Sequence, residues 1–125
     1  MAFVPTPSQR AAIESIGEDV VVTAGAGSGK TRVLVERYLN LLRQGIPMER
    51  IAAVTFTKKA AQEMKDRLRQ TQPELSDSLE RAQISTIHSL CQRIIREHPL
   101  EAAIDPRFRV GKDWETRALL QTVVA

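Results

Sequence analysis

The chain has 125 residues, 42% apolar and 26% charged, which suits one domain with a single core; its net charge of +3 singles out no partner. A lone cysteine, Cys91, excludes an internal disulfide and a cysteine-rich zinc site and fits a reducing, cytoplasmic compartment. No apolar run is long enough to span a bilayer, and Met1-Ala2-Phe3-Val4-Pro5 lacks the basic-then-apolar order of a signal peptide, so no membrane partner is expected.

Thr6-Pro7-Ser8-Gln9 opens a first helix: Thr6 as N-cap, Pro7 at the first helical position, Gln9 closing a capping box. Ala11, Ala12, Ile13 and Ile16 give its buried side, and Gly17 ends it. Capping alone accounts for Gln9. Val20, Val21 and Val22 are consecutive β-branched residues, the pattern of a strand buried on both faces. They run into the turn Ala24-Gly25-Ala26-Gly27-Ser28-Gly29, then Lys30, Thr31 and a helix to about Gln44, with Gly45 as stop signal. Strand, flexible turn, Lys-Thr and helix make a triphosphate cradle. Glycines let backbone N–H groups approach phosphate oxygens without a Cβ clash, and the helix start adds free N–H groups and a positive dipole end. Lys30 would bridge the β- and γ-phosphates of ATP, and the Thr31 hydroxyl would hold Mg²⁺. Ala24 stands where the strict pattern asks for glycine.

Ile51 to Phe56 reads as a second strand; it follows a helix, so the connection is βαβ and the pairing parallel or nearly so. Thr57 caps a helix from about Lys58 to Gln70, with Ala60, Ala61, Met64 and Leu68 as its apolar stripe. A Glu63–Arg67 pair would account for part of its charged face. Lys58 and Lys59 sit at a helix N-terminus, where positive charge is mildly unfavourable, which suggests an anionic partner. One short helix is expected over Glu74 to Arg81, then a third strand at Ile84-Ser85-Thr86. Ile87, Leu90, Cys91, Ile94 and Ile95 follow at helical spacing, which puts Cys91 on a buried stripe in a packing role. His88 lies off that stripe, just after a strand end, where open parallel sheets bind ligands; Phe56 and Thr57 lie at the same kind of place. A turn over Ile104 to Val110 and a helix capped by Asp113 complete the chain. That last helix shows no stop signal, so the chain is expected to be the front of a longer protein.

Four stretches, in this order, carry a resemblance: Thr6-Pro-Ser-Gln9, Ala24 to Arg32, Val54-Thr-Phe-Thr-Lys-Lys-Ala-Ala-Gln-Glu-Met64 and Ile84-Ser-Thr-Ile-His-Ser89. Together they resemble the start of the first motor domain of UvrD/Rep-type superfamily I DNA helicases. Asp105-Pro-Arg-Phe-Arg-Val110 looks most like the AddA/RecB helicase-nuclease branch. The resemblance implies an α/β fold, a parallel-sheet P-loop NTPase (RecA-like) domain. Residues 1–98 would form the motif-bearing core, and 99–125 the start of a following helical region. It implies that Gln9 reads adenine, that Arg32 lies on the adenine ring, that Phe56 stacks on a base of single-stranded DNA, and that Thr55, Thr57 and His88 lie along the strand. Lys58 departs from the asparagine common in the family; it keeps a phosphate contact possible.

The same resemblance implies that turnover needs further parts: a Walker B segment with an acidic Mg²⁺ ligand, a second motor domain with its arginines, and, in this branch, a nuclease partner subunit. No acidic pair after a later strand is present, so these residues are expected to bind nucleotide and DNA without hydrolysing ATP at a useful rate. The Walker B strand would lie beside the phosphate-loop strand, so an unpaired edge is expected. Two other readings stand beside this one. A different phosphate-loop enzyme, such as a small kinase, would have no need of Phe56 and His88 at adjacent strand ends. A non-catalytic remnant would bind without turnover.

Overall fold

The computed structural model describes residues 3–124. The chain divides into two units, Met1–Leu90 and Cys91–Ala125.

In the first unit, α1 (Pro7–Glu14) begins as its capping box requires: the Gln9 N–H donates to Thr6 Oγ1 and the Thr6 N–H donates to Gln9 Oε1. The helix ends at Glu14, earlier than Gly17 suggests, because its last carbonyls have partners on another helix. Arg37 Nη1 donates to the Ala12 and Ser15 carbonyls at 2.6 and 2.7 Å, and Asn40 Nδ2 donates to the Ile13 carbonyl at 3.0 Å. Both side chains come from α2 (Lys30–Arg43), so α1 hangs on that helix through orphan helix-end acceptors. At the far end of α2, Gly45 at φ 82° donates to the Leu42 carbonyl and Ile46 donates to the Leu41 carbonyl, a full Schellman closure. The stop signal at Gly45 therefore works as read.

α2 serves two apolar clusters. Val33 joins Ala12 and Ile13 of α1, with Phe3 packed against them; Val35, Tyr38 and Leu39 enter the larger cluster. There they meet Ala53 of β1 (Ala52–Thr55), Met64 and Leu68 of α3 (Lys58–Thr71) and Ile84 of β2 (Gln83–Thr86). Tyr38 is 2% exposed and its hydroxyl has no hydrogen-bond partner among the described residues. Burial first, and Glu49 second, push its pKa up to about 12.

β1 and β2 pair in parallel, Ala52 against Gln83 through Thr55 against Thr86, with α3 as the crossover. Parallel pairing is present, but the partner of the Ile51–Phe56 segment is the Ile84–Thr86 strand, not the valine run across α2 that a βαβ connection after that helix implies. The result is an α-rich unit with a small parallel sheet of two strands among the described residues.

The valine run does not form the expected first strand. Val20, Val21 and Val22 have no strand assignment and are 38%, 92% and 53% exposed. β-branched residues favour extended backbone, but a strand exists only as a hydrogen-bonded pair, and the run has no ladder partner among the described residues. Val20 and Val22 instead line a cavity of about 350 Å³ with Ala12, Val33, Leu34 and Arg37. The full set of strands of a RecA-like sheet is therefore absent from the described residues.

Two smaller expectations also fail. Glu74 to Arg81 forms two 3-10 turns, Pro73–Leu75 and Ser78–Glu80, not one α-helix. Glu63 and Arg67 form no ion pair among the described residues; the charged face of α3 is tied by Arg69, bonded to Asp66 at 2.9 Å and to Glu80 at 2.8 Å. A residue that reaches the Ser78–Glu80 turn gives the helix a longer-range anchor than an i,i+4 pair would.

α4 (Ile87–Glu97) spans the boundary between the units, and none of its residues is buried. Cys91 is exposed, contrary to the packing role expected of it. The helical spacing correctly defines an apolar stripe, but spacing does not supply a surface to cover it; Ile94 remains 50% exposed. In the second unit, α5 (Pro99–Ala102) closes through Ala103 at φ 51°. Asp105 Oδ1 accepts from the Arg107 N–H at 2.8 Å, forming a turn, and this bond with the Arg107 side chain holds the Asp105 carboxyl below its usual pKa. α6 (Asp113–Val124) starts at Asp113 itself, one residue earlier than a cap at that position implies. Glu115 takes over the capping: it accepts from the Lys112 N–H at 2.8 Å and forms a bidentate pair with Arg109 at 2.7 and 2.9 Å. Arg109 first, then the Lys112 N–H, lower the Glu115 pKa.

Candidate nucleotide loop and strand-end surface

The glycine-rich turn is shaped by two left-handed residues, Gly27 at φ 76° and Gly29 at φ 81°. A Cβ at Gly29 would meet only Gln9 Nε2, at 3.6 Å, so backbone conformation rather than space calls for glycine there. Gly29 is the N-cap of α2 and provides no side-chain cap, which leaves the N–H groups of the first turn available to an external acceptor. Ser28 Oγ donates to the Gly25 carbonyl at 2.6 Å, and Lys30 Nζ donates to the Ala24 carbonyl at 2.9 Å. The lysine thus folds back across the turn, with its charge beside the loop backbone. Lys30 and Thr31 are exposed.

Gln9 is brought to this turn from α1: its Nε2 donates to the Ser28 carbonyl at 3.1 Å. With Thr6, Val22, Ala24, Ser28 and Lys30 it lines a cavity of about 330 Å³. So the structure gathers Gln9, Ala24, Ser28 and Lys30 in one place. Arg32 stands apart from that cavity. Its Nε donates to Glu36 Oε1 at 3.1 Å, and its guanidinium lies 4.8 Å from the centre of the Phe3 ring. Phe3 and Glu36 escaped the sequence reading. Glu36 left a signal in its i,i+4 spacing from Arg32; Phe3 left none, since nothing local couples it to that helix.

The second group lies at the carboxyl ends of β1 and β2. Because Thr55 is in register with Thr86, Phe56-Thr57-Lys58 and His88 follow the same end of the sheet. Phe56 is 94% exposed, and His88, Thr57 and Lys58 are exposed as well. Thr57 Oγ1 accepts from the Ala60 N–H at 3.1 Å, and Thr55 Oγ1 donates to the Thr57 carbonyl at 2.9 Å, which together fix the turn carrying Phe56. Lys58 also lines a shallow cavity of about 210 Å³ with Gln62, Lys65, Ser85, Thr86 and Ser89. Its lining is basic and hydroxyl-rich. No hydrogen bond among the described residues joins this group to the glycine-rich turn.

No cluster of three or more His, Cys, Asp or Glu side chains among the described residues could hold a metal ion. A Mg²⁺ ion here would rely on the phosphates, water and the Thr31 hydroxyl. No helix among the described residues is long and apolar enough to cross a membrane.

An α-rich unit on a small parallel sheet, with a glycine-rich turn feeding one helix, is consistent with the N-terminal domain of a helicase. The chain belongs to the UvrD/REP helicase N-terminal domain family, whose model matches residues 5–125. It is 42% identical over 132 residues to the A-type ATP-dependent helicase/nuclease subunit of Ligilactobacillus salivarius, covering 93% of this chain and 11% of that protein. It is 41% identical over 133 residues to the protein of the same name from Staphylococcus aureus (strain JH9), covering 95% of this chain and 11% of that one. The corresponding protein of Limosilactobacillus reuteri is 38% identical over 136 residues, with 95% and 10% covered. The chain thus spans about a tenth of the length of these curated relatives. They agree with the resemblance that Asp105 to Val110 carried.

Proposed function

We propose that this chain is the ATP-binding portion of an ATP-dependent DNA helicase that couples hydrolysis to movement on single-stranded DNA in repair or recombination. In this reading Gly25 to Gly29 cradle the phosphates through their backbone N–H groups, with Ala24 and Ala26 completing the turn. Lys30 leaves the Ala24 carbonyl for the β- and γ-phosphates, Thr31 offers its hydroxyl to Mg²⁺, and Gln9 and Arg32 meet the adenine. Phe56 stacks on a base, while Thr55, Thr57, Lys58 and His88 follow the backbone. The relatives carry the name of one subunit of a helicase/nuclease, which supports an assembly with a nuclease partner.

The observation that carries the reading is Phe56. A phenylalanine 94% exposed on a turn held by two threonine hydroxyls has no packing role to explain it. Stacking on one base contributes roughly 1–3 kcal/mol, so Phe56→Ala is expected to weaken binding of a labelled oligothymidine about tenfold at fixed salt. Fluorescence anisotropy across a salt series measures it; equal affinities for parent and variant would remove the stacking role. The resemblance assigns the acidic Mg²⁺ ligand and the γ-phosphate arginines to motifs that these 125 residues do not contain, so binding without turnover is expected of them. A phosphate-release assay with single-stranded DNA checks this, and sustained turnover would overturn it.

A further inference from the structure

We propose that Phe3 is a positioning residue for the nucleobase, acting through Arg32; this rests on the nucleotide reading of the loop. The Phe3 ring packs against the Ala12, Ile13 and Val33 cluster, so its own plane is held from behind. The Arg32 guanidinium lies over that ring at 4.8 Å. Glu36 Oε1 holds the Arg32 Nε at 3.1 Å, and the Glu36 side chain is only 16% exposed, so it is a fixed anchor. Ring and carboxylate together constrain both the tilt and the rotation of the guanidinium plane. Yet the Arg32 side chain keeps 42% of its surface in solvent. A flat cation backed by an aromatic ring and clamped at its inner edge is prepared to take a second flat π-system on its outer face. An adenine ring has that shape, and its phosphate tail would have to reach round to the first turn of α2, where Lys30 lies. Without Phe3 the guanidinium would sample other rotamers, and stacking would first have to order it.

The test compares ATP with tripolyphosphate, which uses the loop but offers no base, by calorimetric titration of the full chain. Phe3→Leu keeps an apolar side chain on the cluster and removes the aromatic face. It is expected to weaken ATP binding about fivefold and leave tripolyphosphate unchanged, while Phe3→Tyr restores ATP binding. Equal losses for both ligands would mean that Phe3 only supports the fold, and no loss of ATP affinity would mean that Arg32 needs no backing; either overturns the proposal. If Arg32→Ala loses ATP affinity while Phe3→Leu does not, the nucleotide reading stands and the role of Phe3 falls. If the parent binds neither ligand, the nucleotide reading falls and this inference falls with it.

Discussion

Lys30→Ala is expected to weaken ATP binding on the order of 100-fold while leaving the melting temperature nearly unchanged. The asymmetry follows from where Lys30 sits. Its ammonium is exposed and makes one hydrogen bond, to the Ala24 carbonyl at 2.9 Å. An exposed bond of that kind contributes little to the fold, because water replaces it at small cost. A charge-assisted bond to a phosphate at the mouth of a helix N-terminus is another matter: it contributes roughly 1.5–3 kcal/mol, close to two orders of magnitude in affinity at the upper end. Titration with a fluorescent ATP analogue gives the affinity, and a thermal melt of the same sample gives the fold. Unchanged affinity would sink the phosphate-loop reading; a large drop in melting temperature would show that Lys30 braces the turn instead.

Leu39→Ala is expected to cost about 2–5 kcal/mol of stability, the range for truncating a fully buried leucine. Leu39 is 0% exposed and lies in the larger cluster with Met64, Leu68 and Ile84. Domains of this kind have about 5–15 kcal/mol in total, so the variant would lose much of it. Because Leu39 is on the helix that also carries Lys30, Thr31 and Arg32, the loop loses its support as the cluster loosens. Urea denaturation measures the effect, with the midpoint falling and the slope unchanged. Leu34, on the same helix but 42% exposed, is the comparison and should cost well under half as much when truncated. Equal effects at the two positions would show that the cluster is not what holds α2.

The helices were legible because their signals are local. Thr6 and Gln9 form the box that their spacing implies, Thr57 caps α3, and Gly45 ends α2 through two backbone bonds. Each of these rests on residues within one or two turns of one another. The two largest failures have the opposite cause. Val20 to Val22 carry the propensity of a strand, but pairing depends on a partner far away in sequence, and propensity cannot supply it. Cys91 lies on the stripe that the spacing defines, yet whether a stripe is covered is a tertiary matter. Within the candidate sites, the lysine and the glycines could be read from spacing alone. The contacts that tie Gln9 to Ser28 and Phe3 to Arg32 could not, because both cross between segments that no local rule links.

The Gln9 side chain already bridges two segments of the chain. Its carbonyl oxygen accepts from the Thr6 N–H at 2.9 Å, and its amide nitrogen donates to the Ser28 carbonyl at 3.1 Å. The carboxamide oxygen keeps a second lone pair and the amide nitrogen a second N–H, so a purine edge could engage both atoms without displacing either bond. The capping box on one side and the Ser28 tether on the other would then hold the carboxamide in one orientation toward a base. A ligand that touched Gln9 would in this way be coupled to the glycine-rich turn through the Ser28 carbonyl.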